Sequence, residues 1–365
     1  MNTKRVFILG AGFSAQVGMP TELLPPIENK FKEHNQDDPL EWLGWLKQRI
    51  DWLEKSSPDK ANSINIEQVF DLAYFDVMAE KLKQHTSRVG RTAVNTPYQV
   101  VKDIKSWLGQ MENNLIDVIW EGQKKGLDKL DSIQRFSGVL RENETVVTFN
   151  YDTLLEESFS RAGRTCWYGF PSEKSQDIQV LKMHGSVNWL KAPRNKYQNF
   201  GYNVLYQKDD RNRKETDWPS GEEEWDYVLL RIPDNSVGLR IEKRDLQSSE
   251  EPHMPAIAGL GSYKLLENLP GLGWVWRNAM RSIAQAEEIY VIGFSLSPFD
   301  TMARLHFAGV MCKRAEKGNL PKVITLIDPN ACENKSNFRS VFGPDVPIRA
   351  IEQHAEDVDW AEFLG

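Results

Sequence analysis

Five short segments carry groups suited to one kind of chemistry. Gly10-Ala11-Gly12-Phe13-Ser14-Ala15 fits the pattern G-x-G-x-x-A directly after the apolar run Arg5–Leu9. In that pattern the first glycine permits a tight turn and the second lets backbone approach a pyrophosphate. The small sixth residue lets the following helix pack closely, and the start of that helix offers N–H groups and a positive dipole end. Thr148-Phe149-Asn150-Tyr151-Asp152 places polar groups at the end of a second apolar run, and His184-Gly185-Ser186 follows a third, Val180–Met183. Gly293-Phe294-Ser295-Leu296-Ser297 follows Tyr290-Val-Ile, with Asp300 near the next helix start, and Asp328-Pro329-Asn330 follows Val323–Ile327.

Each segment alone has an ordinary structural reading. Asn150 can close a turn, His184 can be a hydrogen-bonded core residue, and Ser295 or Asp328 can cap a helix. Taken together they lie at the carboxyl ends of candidate parallel strands, where open α/β sheets bind ligands. A dinucleotide-binding dehydrogenase also needs a second strand ending in an acid about 20 residues after the glycine loop. Here that region reads Gly18-Met-Pro-Thr21 and then turns helical, with Glu28 and Glu33 on the helical pattern. The sequence therefore predicts a dinucleotide site without the dehydrogenase layout, with Asp328 as a late substitute acid.

The elements that must position these groups follow from hydrophobic periodicity. Unbroken apolar runs suit strands buried on both faces of a parallel sheet. The candidates are Arg5–Leu9, Glu144–Thr148, Val180–Met183, Tyr227–Ile232, Glu288–Ile292 and Lys322–Ile327. Helical patterns fall at Thr153–Arg161, Leu272–Ala286 and Asp300–Lys317, and the alternation predicts βαβ units. Residues 27–57 carry Leu43, Leu46, Ile50 and Leu53 at helical spacing, flanked by Trp42, Trp45 and Trp52. Asn65–Leu82 and Tyr98–Lys124 also read as helices. Residues 27–140 are thus expected to form a helical insertion in an α/β domain built from 1–26 and 141–365. Lys208–Asp226 and Gln247–His253 read as polar loops.

Composition narrows the function classes. The chain has 365 residues, 40% hydrophobic and 27% charged, which suits a globular protein with a sizeable core. Its net charge of −7 argues against a broad duplex-binding face. No apolar run approaches a membrane span, and no leader pattern is evident at the start, so a cytoplasmic location is expected. Cys166, Cys312 and Cys332 form no C-x-x-C pair, and three cysteines do not make a four-cysteine zinc site. The six histidines form no H-x-H or H-x-x-x-H pair, so no metal site is expected.

In order, Gly10-Ala-Gly-Phe-Ser14, Gly18-Met-Pro20, Thr148-Phe-Asn150-Tyr-Asp152, His184-Gly185 and Gly293-Phe-Ser295-Leu296 resemble the motifs of the sirtuin fold family. Two departures stand out: the missing cysteine tetrad, and Thr21-Glu22 where the protein deacylases carry Phe and Arg. The sequence is more similar to bacterial sirtuin-like NADases that act in antiphage defence. The resemblance implies a Rossmann-like parallel sheet with sirtuin-type topology and hydrolysis of NAD to ADP-ribose and nicotinamide. It implies that Asn150 positions the nicotinamide ribose and the attacking water, and that Thr148 is among the residues that bind NAD. His184 would contact the ribose hydroxyls and act as general base. Asp152 would orient that pair or bind the nicotinamide amide. Gly10, Ala11, Gly12 and Ser14 would hold the pyrophosphate. Gly293, Phe294, Ser295 and Asp328, with Asn330, would hold the adenosine half. The same resemblance implies a homo-oligomer, control by a partner such as a HerA-like ATPase or a short Argonaute, and cell arrest by NAD depletion. An NAD-dependent deacylase or ADP-ribosyltransferase, and a non-catalytic NAD or ADP-ribose sensor, remain as alternatives.

Overall fold

The central strand explains the architecture. All five residues of Arg5–Leu9 (β1) are buried, which requires cover on both faces of the sheet. The computed structural model describes residues 4–33, 71, 101–142, 144–170, 177–193, 203–206, 225–229, 254–257, 270–298 and 300–365. The strands after β1 are β2 (Thr145–Thr148), β3 (Cys166–Trp167), β4 (Ile178–Lys182), β5 (Gly185–Pro193), β6 (Asn203–Tyr206), β7 (Trp225–Leu229), β8 (Met254–Ile257), β9 (Glu288–Ile292), β10 (Val323–Ile327) and β11 (Ile348–Ile351). The helices are α1 (Ala11–Ala15), α2 (Leu24–Glu33), α3 (Val101–Gly126), α4 (Asp131–Val139), α5 (Leu154–Arg161), α6 (Pro270–Gln285), α7 (Thr301–Glu316), α8 (Ala331–Phe342) and α9 (Trp360–Leu364).

Seven strands form one sheet in the order β11-β10-β9-β1-β2-β4-β3, and every pairing in it is parallel. The protein is thus an α/β fold with a Rossmann-like sheet. The chain builds outward from β1 on one side through β2, then on the other through β9, β10 and β11. The reversal falls between β1 and β9, the switch point at which such sheets bind ligands.

Aromatic packing seals one face. Phe7 stacks on Tyr290, its register partner on β9. Phe136 of α4 meets Phe7, Phe13 and Trp360 edge-on at centroid distances of 5.5, 5.1 and 5.0 Å. Elsewhere α6 packs against β4, and α7 against both α6 and α8. Arg5 at the other end of β1 is buried in an ion pair with Glu144.

Within the span expected to be a helical insertion, Ile27, Phe31, Met111, Leu115, Ile119, Ile133 and Phe136 join the same buried cluster as β1. The Trp42, Trp45 and Trp52 stripe, the rest of 34–57, and Asn65–Leu82 apart from Asp71 lie outside the described residues, as do the loops Lys208–Asp226 (save its last two residues) and Gln247–His253. Among the described residues no helix is long and apolar enough to cross a membrane.

Two features depart from the sequence reading. The strand expected at Tyr227–Ile232 among the parallel strands is observed at Trp225–Leu229 and belongs to a separate four-stranded sheet, β6-β7-β5-β8, with antiparallel pairings. The cause lies at His184-Gly185, where Gly185 has a φ of 81° and β4 turns almost directly into β5. A turn that short lacks the dozen or so residues of a parallel crossover, so β5 leaves the first sheet and starts another. The second feature is the pair of unforeseen edge strands, β3 and β11. One has two residues, and the other is only partly buried.

Phe136→Ala should cost about 3–5 kcal/mol, the usual range for emptying a buried aromatic site. A guanidinium unfolding midpoint compared with wild type measures it.

Candidate active site

The register brings the motifs together. Leu9 pairs with both Thr148 and Ile292, Thr148 with Lys182, and Ile292 with Ile327. The ladder runs one residue further. Phe149 N–H donates to Leu9 O (3.0 Å), Met183 to Thr148 O (2.8 Å), Gly10 to Ile292 O (3.1 Å) and Gly293 to Ile327 O (2.9 Å). The four loops beginning at Gly10, Asn150, His184 and Gly293 therefore leave one edge at one level, with Asp328 a strand further along.

Glycines at the switch point meet each other. Gly12 N–H donates to Gly293 O at 2.9 Å. A Cβ on Gly12 would stand 2.8 Å from Gly293 Cα, and one on Gly293 would stand 2.3 Å from Phe13 N. Gly293 also has a φ of 58°, a conformation that favours glycine. Smallness here serves backbone-to-backbone contact between the loops after β1 and β9. The Gly12 N–H is thereby engaged within the protein. Ala11 is exposed and Gly12 half-buried on the same loop.

Behind this contact runs a polar chain. The Asn150 side-chain amide donates to Gly10 O and to Ser14 Oγ, both at 2.9 Å. The Ser14 hydroxyl donates to Asp152 Oδ2 at 2.8 Å, and Asp152 Oδ1 accepts from Leu154 N–H at 3.1 Å. Thr148 Oγ1 accepts from Asn150 N–H. With both amide hydrogens of Asn150 committed, its Oδ1 is the atom these bonds leave for another partner. Asn150 is half-buried, whereas Ser14, Thr148 and Asp152 are buried. Gln123 of α3 exchanges two bonds with Thr153, fixing where α5 begins.

His184 is 4% exposed. Its ring lies edge-on to Phe149 at 5.1 Å and tilted against Tyr151 at 5.6 Å. Asp300 Oδ2 lies 4.0 Å from His184 Nε2 and is itself buried. Sequence reasoning saw Asp300 only as a neighbour of a helix start, and it does cap α7 through Ala303 N–H. Its approach to His184 could not be read from that. Phe149 was likewise passed over. It stacks on Phe294 at 4.3 Å with the rings 11° apart, linking the second and fourth motifs.

The loop after β9 is held from outside. Asn337 Nδ2 donates to Ser295 O, and Arg304 Nη1 to Leu296 O. Leu296 is fully buried at a φ of 50°; burial and these bonds hold a conformation that L-residues disfavour. Ser295 is exposed and Phe294 half-buried. Asp328 Oδ1 accepts from Asn330 N–H at 2.8 Å, a turn that leads into α8. Both residues lie on the same edge, outside the Asn150–Ser14–Asp152 chain.

A model of the SIR2-like domain matches residues 144–215. That segment contains Thr148–Asp152 and His184–Gly185. No curated protein matches the chain. Among solved structures, Sir2Tm bound to a propionylated peptide is similar at 11% identity and a TM-score of 0.38, covering 99% of this chain and 92% of that one. Sir2 in complex with the inhibitor EX-527, 2′-O-acetyl-ADP-ribose and deacetylated p53 peptide gives the same identity and TM-score, covering 99% and 93%.

Gly293→Ala should destabilise the protein by more than the ~1–2 kcal/mol that a left-handed conformation alone costs an L-residue, because the clash adds to it. Thermal unfolding of the variant beside wild type checks this.

Proposed function

We propose that this edge binds NAD and hydrolyses it to ADP-ribose and nicotinamide. The observation that carries the reading is the placement of Asn150 and His184 at the ends of adjacent strands, next to the glycine contact at the switch point. The SIR2-like match over the segment holding both residues supports it. Residues a ligand can reach from solvent, Ala11, Gly12, Asn150, Gly293, Phe294 and Ser295, run along that edge. They suit a long dinucleotide laid across the strand ends.

In this reading a water oxygen attacks C1′ of the nicotinamide ribose while the C1′–N bond breaks. Nicotinamide leaves as a neutral molecule with the bonding electrons, so no strong acid is needed. The transition state is oxocarbenium-like, as in other glycosidic cleavages. Asn150 Oδ1 orients the water or the ribose. His184 takes the proton of the water, and the Asp300 carboxylate stabilises the imidazolium that forms. With so little of His184 exposed, its contact with a ribose hydroxyl requires neighbouring side chains to shift on binding. Ser14 and Asp152 act behind Asn150 by holding its amide. The sequence resemblance to antiphage NADases extends the role to NAD depletion during infection, in an assembly with itself or a partner.

Purified protein should release nicotinamide and ADP-ribose from NAD without acyl-lysine peptide. His184→Ala should lower kcat by about 10²–10⁴-fold, the usual range for a positioned general base, and Asn150→Ala should lower it at least about tenfold, with both variants still folded by circular dichroism. Normal turnover in either variant overturns the mechanism, and NAD binding without release by wild type overturns hydrolysis. Asp300→Asn keeps the helix cap and removes the charge; it should lower kcat by at least about tenfold with little change in KM. Steady-state kinetics at saturating NAD decides this.

A further inference from the structure

A buried charge pair lies behind the site and takes no part in the chemistry above. Lys182 is the last residue of β4, two before His184, and is 1% exposed. Its Nζ donates to the Asp152 carbonyl and, at 3.0 Å, to Glu156 Oε1. Glu156 sits on the first turn of α5 and is 3% exposed. Tyr168 Oη donates to the same carboxylate oxygen, and Asn188 Nδ2 donates to Tyr168 Oη.

We propose that Lys182, with Glu156 as its counter-ion, is a positioning residue that sets the Asn150–Asp152 loop relative to His184. Its catalytic consequence rests on the NAD-hydrolysis reading; the positional claim does not. A buried ion pair adds little net stability over an apolar pair of similar volume, so stability alone is a poor reason for one here. Direction is what an ammonium provides: three donors spread around one centre. One grips the Asp152 main chain, while the Asp152 carboxylate is gripped by Ser14 and by Leu154 N–H. Asp152 is thus held from both sides, and Ser14 carries that placement to Asn150. The strand supplying the ammonium runs straight on to His184. The ladder bonds Met183 N–H to Thr148 O and Val187 N–H to Tyr151 O are independent of it, so the sheet should survive its loss.

The test replaces both charges at once, Lys182→Met with Glu156→Gln, so that no lone charge is left buried. Three quantities are compared with wild type: unfolding temperature, amide hydrogen exchange over 148–156 and 183–188 against 288–292 and 323–327, and NAD binding with kcat and KM. The expected result is an unfolding temperature close to wild type and exchange at least fivefold faster over 148–156, with the two reference strands unchanged. In addition, kcat should fall at least tenfold while KM and Kd stay within twofold. Unchanged exchange and kcat in a folded double variant overturn the proposal, as does a uniform loss of protection across all four segments. Should the double variant fail to fold, Lys182→Met with Glu156→Leu, apolar at both positions so that again no lone charge is buried, is judged by the same readings. A wild type that never turns over NAD refutes the hydrolysis reading, while the exchange comparison still decides the positional claim.

Discussion

The contact of main chain with main chain at the switch point constrains everything around it. Gly12 donates to Gly293 O, and a methyl group on either residue would collide with the other loop. The loop after β1 and the loop after β9 must therefore leave the sheet together. That arrangement brings the start of α1 and the Gly293–Ser297 segment to one place, though about three quarters of the 365-residue chain separates them. The contact needs β1 and β9 in register to their last residues, and the ladder supplies this, Leu9 facing Ile292. A slip of one residue in either strand would turn its buried side chains to the opposite face. Since β1 is buried throughout, such a slip is strongly opposed.

From this fixed point the site is built in depth. Nearest the edge stand Asn150, Gly293, Phe294 and Ser295. Behind them Ser14 and Asp152 form a short hydrogen-bonded chain that spends both amide hydrogens of Asn150 and so orients its oxygen. Deeper still, Lys182 and Glu156 hold the main chain at Asp152. His184 approaches from the neighbouring strand, boxed by Phe149 and Tyr151 and faced by Asp300. An imidazole and a carboxylate that are both buried are screened little from one another.

The two sheets meet through this same strand. β4 ends at Lys182, a short turn leads to Gly185, and β5 opens the antiparallel sheet. His184 sits in that turn, at the junction of the two sheets. Helix α3 reaches the site from another direction, since Gln123 pairs with Thr153 immediately after Asp152. Its apolar residues join the cluster that includes β1, so the helical segment supports the site's frame.

Much of the fold was legible from residue order alone. The apolar runs at Arg5–Leu9, 144–148, 180–183, 288–292 and 322–327 marked five strands of the parallel sheet, because a strand buried on both faces shows no polar alternation. The motifs after those runs marked the edge at which Gly10, Asn150, His184, Gly293 and Asp328 emerge. Tertiary structure alone decided the rest. Gly12 turned out to face Gly293, Asp300 to face His184, and Lys182 to face Glu156. Strand direction in the second sheet depended on how little chain lies between β4 and β5, and the edge strands β3 and β11 were too short or too exposed to stand out. The division has one physical cause. Local sequence governs propensity and the face a side chain shows, whereas register, charge pairing and close backbone approach depend on partners that folding brings together from far along the chain.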